Sequence, residues 1–437
     1  MDILKPQDRP SIEKWIPLSF QHVFAMFGAT ILVPLIVAGA GVPMLPATAL
    51  FTAGTGTLIF ILCTGAKVPA FLGSSFSFIA PLIGVTAAYG FYNALGGAIV
   101  AGIFYCIIAA IIKFTGTGWL DRVMPPVVIG SVIVVIGLYL APVAMNMASN
   151  NAAGDYSLVA LSIAVVTLCI TIVANVFLKG FFSAIPILIG LIGGYIFTLL
   201  MGLAFPAYAI ISFDVVKEAS WLTMVKFHAP SFSFVPILIF VIVSLATICE
   251  HLGDMVVTSK IVGQDFYKNP GLQRTLMGDG LATTWAALWG GPPSTTYSEN
   301  VGVMAITRVY SVWVIGGAAV IAVFLSFFGK FGAVIQTIPT PVLGGVSILL
   351  FGIIASSGLR TIVEAGVDYK DKRNLILTSV ILVIGIGGGK LAFRIAEDAL
   401  GNPVMFELSG IALATVVGIV LNLIIPRSAA KEVKEEK

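Results

Sequence analysis

The sequence predicts an all-α polytopic membrane protein: fourteen transmembrane segments arranged as a 7+7 inverted repeat, with two short strands in the broken third and tenth spans. Three observations lead there. Apolar residues make up 58% of the 437-residue chain, and Asp, Glu, Lys and Arg together only 10%, where a soluble domain carries roughly 25% charge. Apolar runs of bilayer length recur along nearly the whole chain. Matching motifs stand in the two halves in the same order.

So few charges cannot cover the water-facing surface of a globule of this length, which excludes an ordinary cytosolic enzyme as well as a disordered or fibrous chain. The net charge is +3 with basic residues scattered or terminal, so a nucleic-acid groove has no footprint. Cys63, Cys106, Cys169 and Cys249 lie in apolar runs without metal-ligand spacing and read as free thiols. Residues 1–16 are polar, and no small-residue cleavage motif follows the first apolar stretch, so no cleavable leader is expected.

A spanning helix needs about 20 apolar residues, fewer where it is broken at a site. On that basis the spans are 17–39, 46–64, 69–88, 92–114, 124–148, 157–178, 182–205, 233–259, 274–290, 292–306, 310–329, 339–358, 373–391 and 407–426. With a cytoplasmic N-terminus, 19 Lys and Arg fall inside and five outside: Lys217, Lys226, Lys330, Lys390 and Arg394. Dropping one span would move several basic loops to the wrong side, so the count and the orientation support each other. Residues 427–437 form a cytoplasmic tail like 1–16.

The halves resemble each other at three places. Pro126-x3-Gly130-x6-Gly137 matches Pro341-x3-Gly345-x6-Gly352 at an offset of 215. Gly54-x-Gly56 followed by Pro69 matches Gly278-x-Gly280 followed by Pro293 at 224, and Gln21-His22 matches Glu250-His251 at 229. With seven spans per copy, the second copy enters from the opposite face. An inverted repeat points to a secondary transporter whose site lies near the midplane, where broken helices meet.

The broken segments are 69–78 and 292–301, both opened by proline and rich in Ser, Thr and aromatics. Each reads as a short extended piece feeding a half-helix, whose N-terminal amides face a ligand. The competing reading is an ordinary tight loop. Acidic residues inside the spans are few: Glu250, Asp254, Asp279 and Glu299. Intramembrane carboxyl groups are functional candidates by default. Glu250 and Asp254 are four apart and share one helix face, and two carboxylates in a dry site disfavour both being ionised. Asp279, between Gly278 and Gly280 near the cytoplasmic end, reads instead as a solvated or helix-start residue. His22 and His251 read as satisfied interior histidines without a metal-ligand partner. Carboxylates repel anions, and half-helix N-termini repel simple cations. A small neutral planar solute with ring N–H donors and carbonyl acceptors, such as uracil, suits both groups, with Phe76 and Tyr297 covering its faces.

Glu299-Asn-Val-Gly-Val-Met-Ala-Ile-Thr-Arg308 resembles the [QEP]-N-x-G-x4-T-[RKG] signature of the nucleobase/ascorbate transporter family of nucleobase–cation symporters. Segments 21–30, 69–76, 116–120, 250–253 and 293–297 are similar to its bacterial uracil-transporting branch, and so is an acidic residue opening the signature. The resemblance implies a core domain of spans 1–4 and 8–11 (17–114 and 233–329) moving against a gate domain of spans 5–7 and 12–14 (115–205 and 339–426). It implies uracil–proton symport through the cytoplasmic membrane, no cofactor, and a homodimer. Glu250 and Glu299 would hydrogen-bond the base, backbone at Phe76 and Ser298 would complete the contacts beside Ser75 and Tyr297, and Glu250, Asp254 and Glu299 would carry the proton. The chain departs from the family pattern at Asp254, where histidine is usual, and at Ser298, where glycine is usual. A xanthine or purine carrier on the same scaffold is the alternative, and an anion transporter of related architecture a more distant one.

Overall fold

The computed structural model describes residues 3–151, 153–397 and 403–426; the predicted tail at 427–437 lies outside them. The first half runs through α1 (Ile12–Gly39), α2 (Pro46–Cys63), β1 (Leu72–Ser74), α3 (Ile79–Tyr89), α4 (Phe91–Thr115), α5 (Gly118–Val123), α6 (Pro126–Tyr139), α7 (Ala141–Ser149), α8 (Leu158–Phe177) and α9 (Pro186–Ala204). A short α10 (Asp214–Glu218) sits in the central loop. The second half comprises α11 (Phe234–Val262), α12 (Leu272–Leu288), β2 (Ser294–Thr296), α13 (Ser298–Thr307), α14 (Val312–Ser326), α15 (Gly329–Gln336), α16 (Thr340–Glu364), α17 (Lys372–Ile386), β3 (Lys390–Glu397), β4 (Pro403–Ser409) and α18 (Gly410–Ile424).

Proline at the first or second position starts α2, α6, α9 and α16, where its missing N–H costs no helix hydrogen bond. Among the described residues, eight helices are long and apolar enough to cross a membrane: α1, α2, α4, α6 running into α7, α8, α9, α11 and α16. Residues 76–89, α14 and α18 are apolar but shorter. The chain is thus an integral membrane protein, mostly helical. Helix α1 begins five residues earlier than expected, at Ile12. Residues 4–8 explain the extension: Leu4 forms a parallel bridge with Val309, and Val312 N–H donates to the Pro6 carbonyl at 2.9 Å.

The expectation of only two short strands is corrected. A second antiparallel pair, β3 with β4, stands where the end of the thirteenth span and the loop after it were expected. Its cross-strand neighbours explain it: Lys390 Nζ lies 3.0 Å from Glu407, and the Phe393 and Phe406 rings pack at 5.1 Å, pairings that stabilise adjacent strands.

Close helix crossings rest on glycine pairs. A Cβ on Gly280 of α12 would meet the Gly102 carbonyl of α4 at 2.6 Å, and one on Gly102 would meet the Gly280 carbonyl at 2.5 Å. Gly130 of α6 and Gly358 of α16 close on each other in the same way. In lipid, where apolar burial between helices gains little, such small-residue contacts carry the packing. Replacing Gly280 by valine is expected to destabilise the fold by about 1–3 kcal/mol or more. Gly352→Ala, with nothing within 4 Å of the added carbon, should leave the melting temperature in detergent unchanged or slightly raised.

Candidate functional site

Two helices are interrupted at the centre of the molecule, and their extended segments pair with each other. Strands β1 and β2 run antiparallel with Leu72 opposite Thr296, Gly73 opposite Thr295 and Ser74 opposite Ser294. Beyond the strands, Ser75 N–H donates to the Pro293 carbonyl at 2.9 Å, and Tyr297 N–H to the Phe71 carbonyl at 3.0 Å. Flanking helices supply hydroxyls to the remaining strand groups. Thr57 of α2 accepts from Leu72 N–H at 2.9 Å and donates to its carbonyl at 3.2 Å. Thr283 of α12 does the same for Ser294, at 3.1 and 3.3 Å. The buried backbone is thereby satisfied although neither segment is helical.

A third knot joins the crossing to α1. The Tyr297 hydroxyl donates to the Ser74 carbonyl (3.1 Å) and accepts from Thr30 (3.4 Å), while Ser74 Oγ donates to the Thr30 carbonyl (2.9 Å). Gly73 is required beneath that ring, since a Cβ there would lie 2.3 Å from it. Asn300 of the signature donates from Nδ2 to the His22 carbonyl at 3.1 Å and stands 3.1 Å from His22 Nδ1. Half-helix α13 is therefore anchored to α1 by the second residue of its own motif.

Beside the crossing lies a cavity of about 220 Å³, room for one small ring. Glu250, Asp254, Phe76, Tyr297, Ser298 and Glu299 all line it. Ser75 does not; it is fully buried, and its hydroxyl has no hydrogen-bond partner among the described residues. Opposite the carboxyl groups, α6 contributes Ile133, α8 Asn175, α9 Pro186 and Ile187, and α16 Ile353, Ile354 and Ser357. Among the described residues, no Lys, Arg or His lines the space. The wall thus holds three carboxyl groups without a cation, an arrangement that is neutral when they hold protons and negative when they release them.

The carboxyl groups differ in their bonding. Asp254 accepts from the Thr296 hydroxyl at 2.8 Å and from the Ser298 hydroxyl at 2.7 Å. The two departures from the family pattern are therefore partners: the Ser298 side chain answers the Asp254 carboxylate and ties α11 to the start of α13. Glu250 keeps Oε2 without a hydrogen-bond partner. Phe76 meets Phe351 of α16 edge-on at 5.5 Å and 78°.

One expectation is overturned. Asp279 is neither solvated nor at a helix start; it is fully buried in the middle of α12, with Oδ2 3.0 Å from His251 Nδ1. The Gly280–Gly102 approach seals this stretch of α12 against α4. His251 also has Nε2 3.0 Å from the Thr275 hydroxyl. Residues passed over in the sequence include Thr295, Thr296 and Asn175. Asn175 carried a signal, as a lone carboxamide in the apolar run of α8.

Removing Asp254 strands the buried Thr296 hydroxyl, at about 1–3 kcal/mol, and the half-buried Ser298 hydroxyl at less. Asp254→Ala should therefore lower the detergent melting temperature clearly more than Ser298→Ala, and Asp254→Asn, which retains hydrogen-bonding capacity, should fall between Asp254→Ala and the unaltered protein.

A sequence profile described as the Permease family matches residues 13–392. The chain is 50% identical over 436 residues to the uracil permease of Bacillus subtilis (strain 168), covering 98% of this chain and 96% of that one. It is 45% identical to the uracil permease of Escherichia coli (strain K12), covering 95% and 92%. Among solved structures, the transmembrane domain of the cyanobacterial bicarbonate transporter BicA shares the fold (TM-score 0.61, 15% identity, 95% of this chain and 99% of that one). So does the murine anion transporter Slc26a9 in its inward-facing state (TM-score 0.66, 9% identity, 96% and 69%). With its interrupted helices, carboxyl-lined cavity and full-length relatives of one kind, the chain belongs to the Permease family and is a membrane transporter, not an enzyme.

Proposed function

We propose that this permease imports uracil, or a closely related pyrimidine base, across the cytoplasmic membrane by proton symport, through alternating access of a core domain (17–114 and 233–329) against a gate domain (115–205 and 339–426). The observation that carries the reading is the convergence of Glu250, Asp254 and Glu299 on a cation-free cavity where two broken helices meet. The base offers N–H groups to Glu250 and Glu299 and carbonyls to the backbone amides at Phe76 and Ser298, where helical structure begins two residues after each strand. Phe76 and Tyr297 cover its faces, with Ser75 supporting the turn behind. Taking up a proton lowers the negative charge of the carboxyl cluster as the base binds, and release of base and proton on the other side restores it.

Helix packing supports fourteen spans in an inverted repeat. Exchanging each span with the one seven places on maps the contact of α4 with α12 onto α14 with α2, α8–α9 onto α17–α18, α11–α4 onto α1–α14, and α8–α16 onto α17–α6; all of these contacts are made. The cavity lies on the seam between the two proposed domains, since α11, α13 and Phe76 face α6, α8, α9 and α16 across it. The distribution of lysines and arginines supports cytoplasmic termini, and the family resemblance supports a homodimer. The shared fold with BicA and Slc26a9 leaves an anion reading available, but three carboxyl groups in the cavity oppose it electrostatically.

Radiolabelled uracil uptake into proteoliposomes, with and without an inward proton gradient, tests the reading. Uptake should rise with the gradient and be competed by unlabelled uracil more strongly than by xanthine. Uptake indifferent to the gradient, or stronger competition by xanthine, would reject it. Glu250→Ala and Glu299→Ala should each abolish uracil binding with the melting temperature retained, and unchanged affinity in both would remove them from the site. Asp254→Asn should keep binding but flatten the pH profile of uptake; an unaltered profile would leave Asp254 a structural link alone.

A further inference from the structure

Thr295 is 2% exposed, lines the cavity, and its hydroxyl has no hydrogen-bond partner among the described residues. Unpaired buried hydroxyls are uncommon in folded proteins, and of those here Thr295 is the one that lines the cavity, where a bound molecule can reach it, among the described residues. The hydroxyls on either side are differently placed: Thr296 donates to Asp254 at 2.8 Å, and Ser294 has its backbone clamped by Thr283. Thr295 itself cannot swing away, because its backbone is registered against Gly73 in the strand pair and a β-branched side chain has few rotamers. Thr295 stands within hydrogen-bonding reach of the Glu250 carboxyl, yet neither Thr295 Oγ1 nor Glu250 Oε2 completes a hydrogen bond of normal geometry among the described residues. A donor and an acceptor therefore stand side by side in a cavity wall without a well-formed bond between them, so that a ring edge offering an acceptor and a donor can engage both.

We infer that Thr295 is a further substrate-contacting and specificity-determining residue: its hydroxyl donates to the ring carbonyl adjoining the N–H that Glu250 accepts. This rests on the proposed assignment of Glu250 to a ring N–H. The pair then reads a lactam or imide edge, on which C=O and N–H are neighbours. An edge that replaces the carbonyl oxygen by a poor acceptor loses one of the two bonds and leaves the hydroxyl stranded.

The test is equilibrium binding of uracil, 2-thiouracil and 4-thiouracil to the purified full-length protein and to Thr295→Ser and Thr295→Val, with Thr295→Ala as a second truncation should the valine variant not fold. Melting temperatures are measured alongside. The serine variant should bind uracil within about threefold of the unaltered protein, and the truncations about tenfold or more weaker, the equivalent of one charge-assisted or well-formed neutral hydrogen bond. For one of the two thiouracils, whose sulfur replaces the contacted oxygen, the truncation penalty should vanish, the coupling expected of groups in direct contact. Truncated variants that bind uracil normally, or an equal penalty for uracil and both thiouracils, would overturn the inference while leaving the transport reading intact. Failure of the unaltered protein to bind uracil would overturn both.

Discussion

Backbone amides and carbonyls at membrane depth must find partners inside the protein, and the pairing of β1 with β2 is where this chain meets that demand. Everything at the centre is arranged around it. Two extended segments from opposite halves pair for three residues, and each then turns into helix, from Phe76 and from Ser298. Thr57 and Thr283 fill the hydrogen-bonding places that the short strands leave open. Without those two hydroxyls the crossing would expose polar backbone to an apolar interior.

The crossing also sets what the nearby carboxyl groups are free to do. Asp254 spends its oxygens on Thr296 and Ser298 and so links the register of α11 to that of α13. Glu250, one turn earlier on the same helix, keeps Oε2 open beside the equally open Thr295. The Asp254 carboxyl group is held by two hydroxyls, and Glu250 Oε2 by none among the described residues. Two acids on one helix face thus acquire different work from their neighbours alone.

Much of this was legible in the chain. Apolar runs located the helices, because lipid accepts little else, and the prolines at 69 and 293 located the two interruptions, because proline ends a helix wherever its missing N–H would be needed. The β3–β4 pair was not legible: a run such as Lys390-Leu-Ala-Phe-Arg394 is too short and mixed to stand out beside spans of twenty apolar residues. Asp279 was misread since its flanking glycines signal a helix start as readily as a close crossing, and only the approach of Gly102 from α4 decides between them. Thr295 was invisible in an unbroken row of five hydroxyl residues, 294–298, since a hydroxyl's value depends on whether a neighbour engages it.

By itself the sequence determined that the protein lives in a membrane, where its helices break, and which few acids stand at depth, because hydropathy, proline and charge are properties each residue carries locally. Tertiary structure alone decided which acids are held by hydroxyls and which are open, that Ser75 does not line the cavity, and that Asp279 belongs to His251. Those outcomes depend on which groups from distant segments come within 3 Å of one another, and pairwise geometry of that kind is created only when the two halves fold together.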